Sequence, residues 1–311
     1  MTSMSVARCI NQILPEEVLG VIFEEHAKLE WRAPEIDGLV CRQWRQTILR
    51  SPRAWAHLRI VPYFTSVPSK LQHWLDRSGS APLNVMGFDW IGGIEGALAR
   101  HCNRIKSISL DQQQLPFFEN RSFSILQSLH IRAWCNNTPI RWSEWRTMPA
   151  LRYLRAHHIS MDALPSNIFP RLRNLVLFNA KDCDSIIRNS SHSLTSLMIT
   201  SISLKYSAES LEFPSLRFLS LFYVQNIKHR MNVPALTTYH ESHGMNEESF
   251  SMSLPSLIEY GIYGLRNELP LNAMKLHQCY PNVSRISIRA WMSDLKPFFH
   301  SLSDQPTALP I

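Results

Sequence analysis

The sequence has none of the features that mark membrane, secreted or zinc-binding proteins. No apolar run approaches the roughly 18 residues that a membrane-spanning helix needs, and the first residues do not form the charged and apolar regions of a secretory signal. The six cysteines lie far apart and form no Cys-x-x-Cys pair, which argues against zinc and favours a reduced compartment. We therefore expect a protein of the cytoplasm or nucleus.

Motifs of common enzymes are also missing. The chain contains no Gly-rich phosphate loop, no HExxH and no GxSxG. His157 and His158, and likewise His240 and His243, have the spacing of ligand pairs, but histidines that face solvent on strands and loops are commoner. No set of residues combines a nucleophile, a base and a group that orients the base. We expect neither catalysis nor a bound cofactor or metal.

What the chain does contain is a repeated segment of the form Leu-x-x-Leu-x-Leu. Nine copies begin 20 to 26 residues apart, and a proline stands two residues before six of them. The copies begin at Ile105, Leu126, Leu151, Leu172, Leu194, Leu216, Leu236, Leu257 and Val283. This period is typical of a leucine-rich solenoid, in which each unit buries its apolar face only by stacking on its neighbours. The ninth position lacks the usual Asn or Cys ladder, so we predict an irregular, LRR-like array with a parallel sheet.

The alternation of side chains along a strand divides each segment into two faces. The fourth and sixth positions are predicted to face the core, and all of them are apolar or aromatic except Glu241. Either this carboxylate has a buried partner or its strand ends early, and we favour the short strand. The third, fifth and seventh positions are predicted to form an exposed sheet face.

The predicted exposed face has the composition of a recognition surface. It begins with polar residues, continues with Arg and His, becomes apolar and aromatic in the middle and returns to Arg, and such surfaces are enriched in aromatic residues and Arg. The candidate target-binding residues are Arg132, Arg155, Phe178, Met198, Phe218, Phe222, Tyr263, Arg285 and Arg289. The alternative is ordinary strand composition with a loop folded over the middle of the sheet.

The first sixty residues predict three short helices. Pro15, followed by two glutamates, favours a helix start, and an apolar stripe of Val18, Leu19, Ile22 and Phe23 follows. A second helix is predicted over residues 35–50, with an apolar residue every fourth position on one face. After Pro52 a short third helix is predicted to carry Trp55 and Leu58. Three such helices bury too little surface to be stable alone, so they either cap the first repeat or lean on a partner.

Three motifs in this region occur in the order of a known family. They read Leu14-Pro15-x-Glu17-Val18-Leu19-x-x-Ile22-Phe23, Val40-Cys41-Arg42-x-Trp44-Arg45 and Pro52-x-x-Trp55. Residues 12–58 closely resemble the F-box of many fungal F-box-like proteins, although the loop between the first two helices is more compact. The resemblance implies docking on the Skp adaptor of a cullin-based ubiquitin ligase. The implied adaptor-binding residues are Leu14, Pro15, Ile22, Phe23, Cys41, Trp44, Pro52 and Trp55.

The sequence thus predicts a mixed α and β protein in four parts. These are an F-box segment at 1–60, a bridging helix and linker at 61–81, an LRR-like repeat region at 82–291, and a C-terminal helix and tail at 292–311. Within the bridge, helical spacing of apolar residues is predicted over 70–77, and a first strand is predicted over 82–88.

By resemblance, we expect a non-catalytic substrate receptor. The F-box would hold the Skp adaptor, and through it the cullin ligase, while the repeat sheet holds a protein target. Two alternatives stay open. One is an F-box protein that acts as a scaffold without a role in degradation. The other is a basic nucleic-acid-binding solenoid, which the net charge of +7 permits. The same charge also suits an acidic or phosphorylated partner, and no membrane partner is expected.

Overall fold

The computed structural model shows a mixed α and β protein with a large parallel sheet. It describes residues 14–60, 67–87, 94–133, 148–161, 169–202, 210–224, 231–242, 254–263 and 279–289. The chain divides into two compact units, Met1–Leu129 and His130–Ile311. The helical residues after Leu14 therefore share a unit with the first strands, whereas the sequence predicted a boundary near residue 60. The predicted C-terminal helix and tail lie outside the described residues.

The first unit begins with three short α-helices and a 3-10 turn. Their bounds are α1, Glu16–Leu29; α2, Ala33–Asp37; α3, Arg42–Leu49; and the turn, Ala54–Ala56. Two acidic residues in the first turn of α1 complement the positive end of its dipole. Leu19, Phe23 and Ala27, each one turn apart, are its buried face. That face packs against α2, α3 and the 3-10 turn.

The prediction of one helix over residues 35–50 is wrong. Pro34 lies inside α2, at a position where its missing N–H is no loss, and the helix ends before Gly38. Cys41 then takes an extended conformation and caps α3, its Sγ accepting from the Trp44 backbone N–H at 3.5 Å. Leu58, which was expected in the third helix, lies instead in a β-strand.

The rest of the first unit contains parallel strands and two further α-helices. Strands β1, β2 and β3 (His57–Arg59, Leu83–Met86 and Ile105–Asp111) pair in chain order. The predicted bridging helix is α4, Val67–Arg77, and short helix α5 spans Ile94–Ala99. The ring of Trp74 on α4 lies 5.7 Å from that of Trp31 and 5.1 Å from that of Trp55. The helices before residue 60 and the bridge thus share one aromatic core.

The second unit is built on parallel strands that also follow chain order. Strand β4 spans Ser128–Arg132. The main strands that follow it are β5, Tyr153–His157; β6, Asn174–Phe178; β7, Ser196–Thr200; β9, Phe218–Phe222; β11, Thr238–Ser242; β12, Glu259–Tyr263; and β13, Arg285–Arg289. Short strands β8 (Leu211–Glu212) and β10 (Met231–Asn232) form a separate parallel pair, and α6 spans Asp184–Ser190.

The predicted strands and their inward faces are confirmed over most of the repeats. Strands β4 to β7, β9 and β11 to β13 all begin at the third position of a predicted segment. The inward residues from Ile108 to Leu221 are buried, at 2% exposure or less. In the last repeat Ile286 is only half-buried, and the side chains of Ile262 and Ile288 lie outside the described residues.

Glu241 overturns the favoured interpretation of its strand. Strand β11 runs through it to Ser242, and the side chain is 2% exposed. Its carboxylate accepts hydrogen bonds from the Tyr239 hydroxyl, at 2.9 Å, and from the Tyr260 hydroxyl of the next strand. The buried partners, which were the other alternative, therefore account for the carboxylate in the core.

Candidate functional site

Large apolar side chains are concentrated on the surface of the first three helices. Among the described residues, eight of the twelve exposed large apolar side chains lie between residues 18 and 49. We call this set the apolar surface: Val18, Val21, Ile22, Leu29, Ile36, Leu39, Val40 and Leu49. Leu29 is 88% exposed and Leu39 is 76% exposed. Single exposed apolar residues are normal, but eight of them between residues 18 and 49 make this segment the candidate for an interaction surface.

The helical spacing gives α1 both a buried apolar face and an exposed apolar face. Val18 and Ile22 are one turn apart, and Leu29 lies two turns further on, so these residues share one side of the helix. The core face is offset by one residue, at Leu19 and Phe23. The single stripe predicted from the sequence therefore contains two rows, one buried and one exposed. Of the eight residues of the apolar surface, only Ile22 was predicted as a site residue, although the second row in α1 was a signal for Val18 and Leu29.

The eight predicted adaptor-binding residues do not all reach the surface. Pro15, Ile22 and Pro52 are exposed, and three more are half-buried, namely Leu14, Cys41 and Trp44. Phe23 and Trp55 are buried, at 1% and 4% exposure, so a direct contact by them with a partner is not available in this structure.

The two buried aromatics have identifiable roles in the helical core. The ring of Phe23 lies 5.1 Å from the ring of Trp44 in an edge-to-face arrangement. The indole N–H of Trp55 donates to the Ile48 carbonyl at 2.9 Å, and its ring carries the Arg77 guanidinium at 5.0 Å. Phe23 and Trp55 thus position α3, which presents Trp44.

The outward face of the sheet carries two aromatic clusters. The first, which we call cluster one, consists of His130, His157 and Phe178 on β4, β5 and β6. The His157 ring lies 5.1 Å from that of His130 and is stacked 5.2 Å from that of Phe178. The Arg155 Nε donates to His157 Nε2 at 2.6 Å, which fixes the His157 proton on Nδ1.

Both imidazoles of cluster one are neutral at physiological pH. Burial, and then the charge of Arg155, lowers the pKa of His130 to about 4. The same two causes, in the same order, lower the pKa of His157 to about 4. The positive charge at this end of the face therefore comes from Arg132 and Arg155, while the imidazoles offer flat, uncharged rings.

Cluster two consists of Phe218, Phe222, His240 and Tyr263 on β9, β11 and β12. The His240 ring lies 5.1 Å from that of Phe218 and 5.3 Å from that of Tyr263, which lies 5.2 Å from that of Phe222. Between the two clusters runs β7, whose Met198 pairs with Val176 on β6 and with Ser220 on β9. The predicted apolar middle is therefore two aromatic clusters separated by a methionine.

A charged network borders cluster two. The Glu259 carboxylate accepts from Ser287 Oγ at 3.0 Å and from the Arg285 guanidinium at 3.3 Å, and it lies 3.6 Å from His240 Nε2. Burial raises the pKa of Glu259, but the hydrogen bonds from Ser287 and Arg285 outweigh it, so the net pKa is below its usual value. Arg285 is exposed as predicted but is engaged by Glu259, and the side chain of Arg289 lies outside the described residues.

The other candidate ligands do not assemble into a site. In the described part of the chain no three His, Cys, Asp or Glu side chains form a group that could hold a metal ion. His243, the second member of one predicted pair, lies outside it. Burial raises the pKa of the Cys102 thiol to about 11 and raises that of Cys183 further, so both thiols stay protonated. No helix in the described ranges is long and apolar enough to cross a membrane.

In the comparisons with known proteins, no family model matches the sequence and no curated protein matches it significantly.

Proposed function

We propose that this protein is the substrate receptor of a Skp-cullin-type ubiquitin ligase. In this proposal residues 12–58 are an F-box that docks on the Skp adaptor, and the parallel sheet belongs to an irregular LRR-like solenoid that binds a protein target. In this proposal the chain is a non-catalytic subunit of the ligase. The observation that carries the proposal is the apolar surface, because the helical segment with the F-box motif holds most of the exposed large apolar side chains among the described residues.

Adaptor docking would cover apolar side chains that are exposed to solvent in the free chain. Burial of apolar surface stabilises a complex by about 25 cal/mol per Å², less the cost of association. The largest gain comes from the four most exposed large aliphatic side chains, each at 56% exposure or more: Leu29, Leu39, Val21 and Val40. Pro15 and Ile22, which the F-box resemblance implies as contacts, are exposed on the same helical segment. Trp44 is half-buried and offers one edge to a partner.

The solenoid proposal rests on the order and spacing of the strands. The parallel strands of each unit follow chain order, and each successive strand arrives after one sequence repeat. Such an arrangement buries one leucine-rich face per repeat against its neighbours. The opposite face is then free to present cluster one and cluster two.

Target binding fits the two aromatic clusters. Aromatic residues and Arg dominate binding energy at protein interfaces. Arg132 and Arg155 stand beside cluster one, and Met198 lies between the clusters. We propose an extended target segment whose apolar side chains contact both clusters and whose acidic groups are steered by the arginines. The ligase then acts through effective concentration, since tethering makes ubiquitin transfer to the target quasi-intramolecular.

The test is co-purification of the adaptor and the cullin with wild type and with Leu14→Ala/Pro15→Ala. These residues precede α1 and lie outside its buried face, so the double variant is expected to lose the adaptor, at about 2 kcal/mol or more per anchor, while circular dichroism stays unchanged. Phe117→Ala is the matched control, because Phe117 is an exposed apolar residue outside the helical segment.

Each result discriminates among the candidate functions. Loss of both adaptor and cullin from the double variant alone supports the substrate receptor. Capture of the adaptor without a cullin favours the scaffold. Retention on RNA that falls steeply with salt, without any adaptor, favours the nucleic-acid-binding protein. The F-box assignment fails if the double variant recovers the adaptor at the wild-type level.

A further inference from the structure

A basic groove lies along the edge of the second unit at which its strands begin. It encloses about 1090 Å³, and four arginines line it: Arg152, Arg171, Arg173 and Arg217. The other described lining residues are three serines or threonines, two prolines and an alanine. Neither a carboxylate nor an aromatic ring is among them.

The repeat itself positions these arginines. Arg152, Arg173 and Arg217 stand at the second position of their segments, one residue before the third position where the strand starts. Their backbones are tied from strand to strand: the Arg173 N–H donates to the Arg152 carbonyl at 2.9 Å, and the Thr195 N–H donates to the Arg173 carbonyl at 2.8 Å. Neighbouring strands lie about 4.8 Å apart, so the backbones of Arg152 and Arg217, three strands apart, are separated by about 14 Å.

The charges of the groove are uncompensated. All four arginines are exposed, and within the described ranges their guanidinium groups take part in no ion pair or hydrogen bond. Some other arginines are engaged, as Arg104 is by the Leu75 and Ala81 carbonyls and Arg285 is by Glu259. Four like charges around one groove repel each other, and an anionic ligand would relieve that repulsion.

We propose that the basic groove binds an acidic or phosphorylated stretch of a protein chain. The planar fork of Arg donates two parallel hydrogen bonds to a carboxylate or a phosphate, and arginines on successive strands suit anionic groups spaced along an extended peptide. The hydroxyls of Ser193 and Thr195 also line the groove, but they already donate to the backbone carbonyls of Leu172 and Arg173, so the arginines supply the free donors. Single-stranded nucleic acid is disfavoured because its binding sites stack bases on aromatic rings, which the described lining does not offer.

This inference deepens the proposed function, because it names the chemistry of a target, but its test does not involve the adaptor. Binding of fluorescent peptides to the full chain is measured by anisotropy, using peptides of matched length that are Glu-rich, phosphoserine-containing or neutral, and a single-stranded RNA. The test variant is Arg173→Gln/Arg217→Gln. The control, Arg42→Gln/Arg100→Gln, removes the same charge from two exposed positions outside the groove.

Wild type and the control are expected to bind the anionic peptides, with affinity that falls as salt rises, and the groove variant is expected to bind them about tenfold more weakly or worse. Preference for the phosphoserine peptide over the Glu-rich peptide identifies phosphate as the ligand, and equal affinity identifies the carboxylate. Equal binding by groove variant and control overturns the proposal, as does tighter binding of RNA than of either anionic peptide. Adaptor capture by the groove variant stays at the wild-type level, which separates this proposal from the docking proposal.

Discussion

The imidazole of His240 lies directly over Gly261 on the neighbouring strand. A Cβ built on residue 261 would come within 2.3 Å of His240 Cδ2 and within 2.9 Å of its Nε2. Their backbones are paired in register, so neither strand can shift alone to relieve such a contact. The absence of a side chain at Gly261 thus allows cluster two to form.

Gly261→Ala is therefore expected to displace the His240 ring and open cluster two. The added methyl cannot be accommodated while His240 contacts Phe218 and Tyr263, so the change should reduce target recovery and leave adaptor capture intact. Comparison of bound proteins in affinity purifications measures this. His240→Ala/Gly261→Ala is the companion variant, because without the imidazole ring the methyl group at residue 261 no longer clashes. If Gly261→Ala alone recovers targets as wild type does, cluster two is not part of the recognition surface.

The buried carboxylate of Glu241 gives a second prediction. Glu241→Ala should lower the free energy of unfolding by about 2–4 kcal/mol, because it leaves two buried tyrosine hydroxyls without their acceptor. Adding Tyr239→Phe and Tyr260→Phe removes those hydroxyls and should restore part of the loss. Urea denaturation measures both. Glu212→Ala, at an exposed position, serves as the control. An effect of Glu241→Ala no larger than that of the control would contradict the assigned role.

The buried tyrosines also show what the sequence could and could not predict. The leucine period located the strands to the residue, since an inward apolar position must recur once per repeat. The burial of Glu241 depends on the hydroxyl of Tyr260, which lies nineteen residues away in the next repeat. The sequence pattern treats an inward tyrosine only as an apolar or aromatic side chain and not as a hydrogen-bond donor. A pattern within one segment cannot report such a pair across strands.

Two other features escaped prediction for related reasons. The helix over residues 35–50 was predicted from apolar spacing alone, and the extended cap at Cys41 interrupts it. The basic groove was missed because three of its arginines stand at the second position and Arg171 precedes its segment, so all four lie outside the alternation that divides the strand into two faces. Apart from Arg289, whose side chain lies outside the described residues, the candidate target-binding residues lie at the outward strand positions predicted for them. Whether they form one surface or two depends on how the rings of neighbouring strands pack.

Cluster one predicts a pH dependence of stability. Because the pKa values of His130 and His157 are lowered to about 4 by burial and by Arg155, the unfolded chain binds protons more readily than the folded chain between pH 6.5 and 4. Their contribution to stability is thus fully present above about pH 6.5 and is lost as the pH falls toward 4. Urea titrations at several pH values measure it.

The matched variants isolate the two histidines from the other groups that titrate in this range. His130→Gln/His157→Gln should show a smaller loss of stability between pH 6.5 and 4 than wild type, because glutamine does not titrate. His192→Gln, at an exposed position in the same unit, should reproduce the wild-type slope. The same slope in all three proteins would contradict the protonation states assigned to cluster one.

Ile22 and Phe23 are neighbours on α1 but belong to its two different faces, so truncation should separate docking from folding. Ile22 is 44% exposed, and Ile22→Ala should weaken adaptor capture while changing the unfolding free energy by less than about 1 kcal/mol. Phe23 is 1% exposed and packs on Trp44, and Phe23→Ala should cost about 3–5 kcal/mol of stability. Adaptor capture and urea denaturation are measured on both proteins. If Ile22→Ala destabilises the chain as much as Phe23→Ala does, or leaves adaptor capture unchanged, the exposed row of α1 is not a docking surface.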